Sequence, residues 1–237
     1  MAVGERLGVA ARVRPGSRGA LGSRLAWPRS GFVLLGAGAV AAVAATHLID
    51  YGVYHLRYDA LNANLAVSWS HKVDAAALGV GAAISFVHAR RRPARHGTWL
   101  ATAGLLALLF VAEVTELHTA IGSLNHGKLL YAPLLVALVF CVWRLTRDGA
   151  HRAALLAAAA LLVVSYTIHV LDPHHIARTL GWQDGGWAFQ CVVALKEGTE
   201  LAGVLVALTA LAGTAVAGRR SVAGRPGATQ VGAGGER

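Results

Sequence analysis

Six apolar stretches divide this 237-residue chain, and its charged residues are sorted by the gaps between them. An apolar run of about 20 residues is long enough to cross a bilayer as a helix. Backbone amides cannot stay unpaired in hydrocarbon, so such runs fold as helices or not at all within a membrane. The spans read as 32–51, 73–87, 99–118, 129–143, 153–171 and 187–217. The expected fold class is all-α, a polytopic membrane helix bundle with six transmembrane helices. Residues 1–30 and 218–237 are rich in Gly, Ala and Arg and read as disordered cytoplasmic tails around a transmembrane domain at 31–217. Ser70 reads as the N-cap of the second span, Pro133 falls in the first turn of the fourth, and Pro173 ends the fifth.

Arginine sets the topology. Of 22 Lys and Arg, 17 lie in the two tails and in the loops 88–98 and 144–152. The positive-inside rule puts those segments in the cytoplasm and the protein in the inner (plasma) membrane, with both termini cytoplasmic. Only 14% of residues are charged, against about 25% in a soluble domain. The net charge of +10 is thus a topological signal and does not imply a nucleic-acid partner; the partner implied is the lipid bilayer. The predominance of Arg over Lys reads as coding bias in a GC-rich bacterial genome. Cys141 and Cys191 fall near opposite membrane faces, too far apart for a disulfide.

The opposite end of the bundle collects the chemistry. Nine of 12 acidic residues and eight of 11 histidines lie there. Ionisable groups inside a bilayer are costly and are usually kept for function. His47 with Asp50, and His169 with Asp172, end the first and fifth spans as H-x-x-D; Glu113 with Glu116, and Glu197 with Glu200, lie in two copies of E-x-T-E-L. Spacing of i, i+3 places each pair on one helix face. His47, Glu113 and His169 stand at a common depth, about 21–24 Å along their helices at ~1.5 Å per residue.

Six carboxylates beside one Lys in the spans, Lys196, cannot all stay ionised in low dielectric. Protonation, a water-filled funnel or bound cations must compensate them. Histidine with carboxylate is the ligand set of Zn, Fe or Mn. The leading expectation is a divalent metal site open to the extracytoplasmic side, with His47, Glu113, His169, Glu197 and Glu200 as ligands. Asp50, Glu116, Asp172 and His118 would orient them. Such a site could activate water for a reaction on a lipid-like substrate. Haem b held by His47 and His169 is a lesser alternative. Cation or proton transport through the same carboxylates is another, although the inner halves of the spans read as almost wholly apolar. A structural or partner-binding membrane protein is the remaining class.

The segments VAEVTELHTAIG and VALKEGTELAGVLVALTAL are similar to recurring segments of uncharacterised bacterial multi-pass membrane proteins. Those carry one helix ending L-D-E-x-x-x-L-H-E and a final helix with E-E-x-L-E-x-x-G. Glu113, His118, Glu197, Glu200 and Gly203 match, whereas Ala112, Thr119 and Lys196 stand where the patterns have acids. The resemblance implies an integral membrane protein of six spans and carries no assigned activity.

Overall fold

The computed structural model describes residues 29–91, 95–115, 131–146 and 149–223. Among them every regular element is helical. We number these α1 (Arg29–Tyr54), α2 (Trp69–Arg91), α3 (His96–Val114), α4 (Tyr131–Leu145), α5 (Gly149–Leu171), α6 (Pro173–Thr179) and α7 (Trp187–Ala223). Five of them, α1, α2, α3, α5 and α7, are long and apolar enough to cross a membrane. The six-span expectation is met only that far, because α4 is apolar but has just 15 residues. The two expected tails lie outside the described residues, save that α1 begins at Arg29 and α7 continues to Ala223.

Helix boundaries follow local chemistry. The helix α2 starts one residue before the expected cap. Ser68, not Ser70, occupies the N-cap position, its hydroxyl accepting from the His71 amide at 3.5 Å and meeting the Ser70 hydroxyl at 3.0 Å. Asp172 breaks the chain between α5 and α6 with a φ of 64°, and Pro173 opens α6 because its missing N–H costs nothing in a first turn. The Asp172 carboxylate caps α6 by accepting from the His174 amide at 3.0 Å.

The helix α7 is the hub. It packs along α1, α2 and α5, while α3 packs on α2 and α4 lies against α3. Small residues permit this. A Cβ on Gly203 would stand 2.7 Å from Leu162 Cγ and 3.1 Å from the Ala158 carbonyl, and one on Gly198 would stand 3.2 Å from Val40 Cα. Without a hydrophobic force between helices in lipid, such close backbone approach supplies the packing energy. The outward faces stay apolar, with Val33, Leu34, Val136 and Val163 largely exposed, whereas His47, Asp50, Asp74, His88 and Glu197 are buried. Ionisable groups kept away from an apolar outer face are what a lipid environment selects.

The arginine-rich end is tied down by specific bonds, so Arg there does more than bias topology. Arg95 donates to the carbonyls of Arg144 and Leu145 at 3.0 Å each, satisfying the last turn of α4. Arg90, Arg144 and Arg152 lie over the rings of Phe86, Phe140 and Trp143. Cys141 and Cys191 are both free.

The glycine contacts are directly testable. Gly203→Leu should destabilise the bundle by about 1–3 kcal/mol through overpacking against α5, read as a lowered melting temperature in detergent. Gly104→Leu, at a site where a Cβ meets nothing within 4 Å, should leave the melt unchanged.

Candidate functional site

The carboxylate-rich end contains a network built around His71. This residue is the third of α2, beside the ends of α3 and α7. Its Nδ1 lies 2.6 Å from Glu113 Oε1 on α3, and its Nε2 lies 3.3 Å from Glu197 Oε2 on α7. Only a ring carrying hydrogen on both nitrogens donates to both carboxylates. The other oxygen of Glu197 is held by the Lys196 ammonium at 2.5 Å. One turn further, Glu200 Oε2 accepts from the Ser165 hydroxyl of α5 at 3.0 Å. Asp74, one turn below His71, lies within the electrostatic reach of Glu200, Glu113 and Glu197 and is 4% exposed. Four carboxyl groups therefore face two groups able to carry positive charge. Each added ion in such a site carries a desolvation cost of several kcal/mol unless it is paired.

Below this cluster runs a cavity of about 210 Å³. Its polar end is lined by His71, Glu113, Ser165, His169, Lys196 and Glu200. The rest of its wall is Tyr166 with Leu, Val, Ala and Gly from α2, α3, α4, α5 and α7, reaching Val142, Leu155 and Leu211. A dry apolar cavity of about 150 Å³ already admits benzene, so this one is large enough for a stretch of hydrocarbon chain.

The expected ligands are gathered unevenly. Glu113 and Glu197 meet on the His71 ring, and Glu113, His169 and Glu200 share the cavity wall. His47 stands apart. Its Nδ1 accepts from the Ala63 amide at 3.1 Å, so its Nε2 donates to Gln190 Oε1, at 2.9 Å. With both nitrogens engaged, His47 presents no lone pair to a metal or to a haem iron. Asp50 accepts from the Tyr58 amide at 3.2 Å and holds the loop that turns back after α1. Asp172 spends one oxygen on the α6 cap. Glu116 and His118 lie outside the described residues. Among the described residues no three His, Cys, Asp or Glu side chains approach closely enough to hold a metal ion.

His71 and Asp74 fall outside the ligand set expected from the sequence. The signal was present: His71-Lys72-Val73-Asp74 is a third H-x-x-D, opening a span where the other two copies close one. The paired E-x-T-E-L motifs also share a local device. Thr115 and Thr199 return their hydroxyls to the carbonyls of Val111 and Leu195 at 2.7 and 2.8 Å.

No family model, no curated protein and no solved structure matches this chain. What fold and site define is a helical bundle with membrane-spanning apolar helices and a polar cluster set over an apolar cavity.

Removing the ring tests the network. His71→Leu leaves Glu113 and Glu197 facing each other without the bridging cation, and should cost about 3–5 kcal/mol of stability. The Glu113→Gln exchange, which removes charge and keeps shape, should cost less. Equal melting temperatures for His71→Leu and the wild type would contradict this account.

Proposed function

We propose that this is a multi-pass plasma-membrane protein that binds a lipid-like amphiphile. The polar head would sit at His71, Glu113, Lys196 and Glu200, and the chain along the apolar shaft below. The observation that carries this reading is the two-part lining of this cavity: donors and acceptors at one end, hydrocarbon side chains along most of the rest. Ligand pockets are mostly apolar walls with a few convergent polar groups. Charge sorting in the sequence supports six spans with both termini in the cytoplasm. The polar mouth then faces the extracytoplasmic side.

A divalent metal (Zn, Fe or Mn) is a second reading, favoured by the shared wall of Glu113, His169 and Glu200. It requires these three side chains to converge, and Lys196 opposes it by carrying positive charge into the same space. Elemental analysis of the purified protein separates the two readings: near-stoichiometric metal that disappears in Glu200→Ala supports the metal.

Mass spectrometry of organic extracts of purified protein tests the amphiphile. One retained species is expected, lost when Ala207→Phe and Val139→Phe fill the shaft. Glu200→Gln should weaken retention about tenfold, the equivalent of one charge-assisted hydrogen bond. Retention unaffected by filling the shaft would remove the proposal.

A further inference from the structure

The buried face of α2 carries polar residues far beyond the cluster. Its buried residues include Ser70, Asp74, Ala77, Gly81, Ser85 and His88. Successive spacings of four, three, four, four and three place them in one stripe along the helix. Among the described residues, four buried side-chain atoms have no hydrogen-bond partner, and three of them lie on this stripe: Asp74 Oδ1, Ser85 Oγ and His88 Nε2. Buried polar atoms are almost always satisfied, by protein or by ordered water. Three of the four exceptions fall on this one face.

The ends and the middle of the row have the right chemistry. At the carboxylate-rich end the row begins in the His71–Glu113 pair, whose side chains are 13% and 18% exposed. At the arginine-rich end His88 Nδ1–H donates to the Ile84 carbonyl at 2.9 Å, which leaves Nε2 with its lone pair. The ring lies against Trp99, with centroids 5.0 Å apart, one turn from the exposed Arg91. The gap from Asp74 to Ser85 is about 16 Å at ~1.5 Å per residue. Ala77 and Gly81 fill it with the smallest side chains, and both line the cavity. At Gly81 the methyl groups of Leu106 and Leu208 close in, 3.1 and 3.3 Å from where a Cβ would stand, and make an apolar step. Apolar constrictions of this kind gate by wetting and drying.

We propose that this face of α2 carries protons between the two ends of the bundle. A carboxyl group of the cluster takes up a proton at the mouth. Water beside Ala77 and Gly81 relays it to the Ser85 hydroxyl and on to His88 Nε2, which releases it at the arginine-rich end. Each transfer moves one proton between oxygen or nitrogen lone pairs and needs no co-reactant. The inference rests on α2 and on the carboxylates beside its start; because Ala77 and Gly81 also line the cavity, a bound chain would displace the relaying water.

The test uses the full chain, stripped of bound lipid by detergent exchange and reconstituted into phosphatidylcholine vesicles containing a trapped pH-sensitive dye. A potassium gradient with valinomycin supplies the voltage. The wild type should acidify or alkalinise the lumen, according to the sign of the voltage, well above protein-free vesicles. Ser85→Ala and His88→Gln should each fall to the protein-free rate, while Cys191→Ala keeps the wild-type rate. Ser85→Ala removes one hydroxyl with no loss of packing and guards against a folding defect in the histidine variant. Wild-type flux no greater than that of protein-free vesicles, or full flux in both α2 variants, overturns the proposal. Amphiphile retention measured on the same Ser85→Ala protein shows separately whether the cavity still binds its ligand.

Discussion

The imidazole of His71, held between Glu113 and Glu197, is the contact on which the carboxylate-rich end of this bundle depends. Three helices that are distant in sequence meet at one ring. Two carboxylates brought this close without it would repel in a medium where charge is poorly screened. The second cation, Lys196, reinforces the same point by pairing with Glu197. Ion pairs inside proteins add little net stability, but they restrict register and rotation, since few arrangements bring the partners within bonding distance. Here the arrangement aligns α2, α3 and α7 and leaves Glu200 at the wall of a cavity.

The architecture around that contact is permissive by design of its small residues. Gly198 and Gly203 draw α1 and α5 onto α7, and this close packing concentrates the bundle on one side. The helix α4, by contrast, lies mainly on α3 and meets α5 and α7 at few points. The cavity lies where those helices fail to close. Packing strength and void are two consequences of the same uneven distribution of glycine and alanine.

Two polar systems share α2. The cluster at its start handles charge, and the stripe along its buried face continues through Ser85 and His88 to the other end. The inner halves of the spans read as apolar in sequence because Ser85, His88 and His151 are isolated among Ala, Val and Leu. Their burial makes them conspicuous. An unpaired buried polar atom costs about 1–3 kcal/mol, so those of Asp74, Ser85 and His88 are retained against a standing energetic penalty.

The chain alone determined the helical class, the start of α7 at Trp187, the break at Pro173 and the sorting of arginines from carboxylates. These are local properties, set by apolar run length, backbone hydrogen bonding and the absent N–H of proline. It also placed Glu113, Glu197 and Glu200 at one end. Helix rotation was not legible. In a soluble protein the polar face reveals which way a helix turns, whereas here both the lipid face and the core are apolar. Tertiary structure therefore decided that His47 would spend its nitrogens on Gln190 and Ala63, that His71 would take the central place, and that the apolar halves would enclose a cavity. Which side chains meet depends on the order and tilt of neighbouring helices, and that information is distributed over contacts between spans and is absent from any one of them.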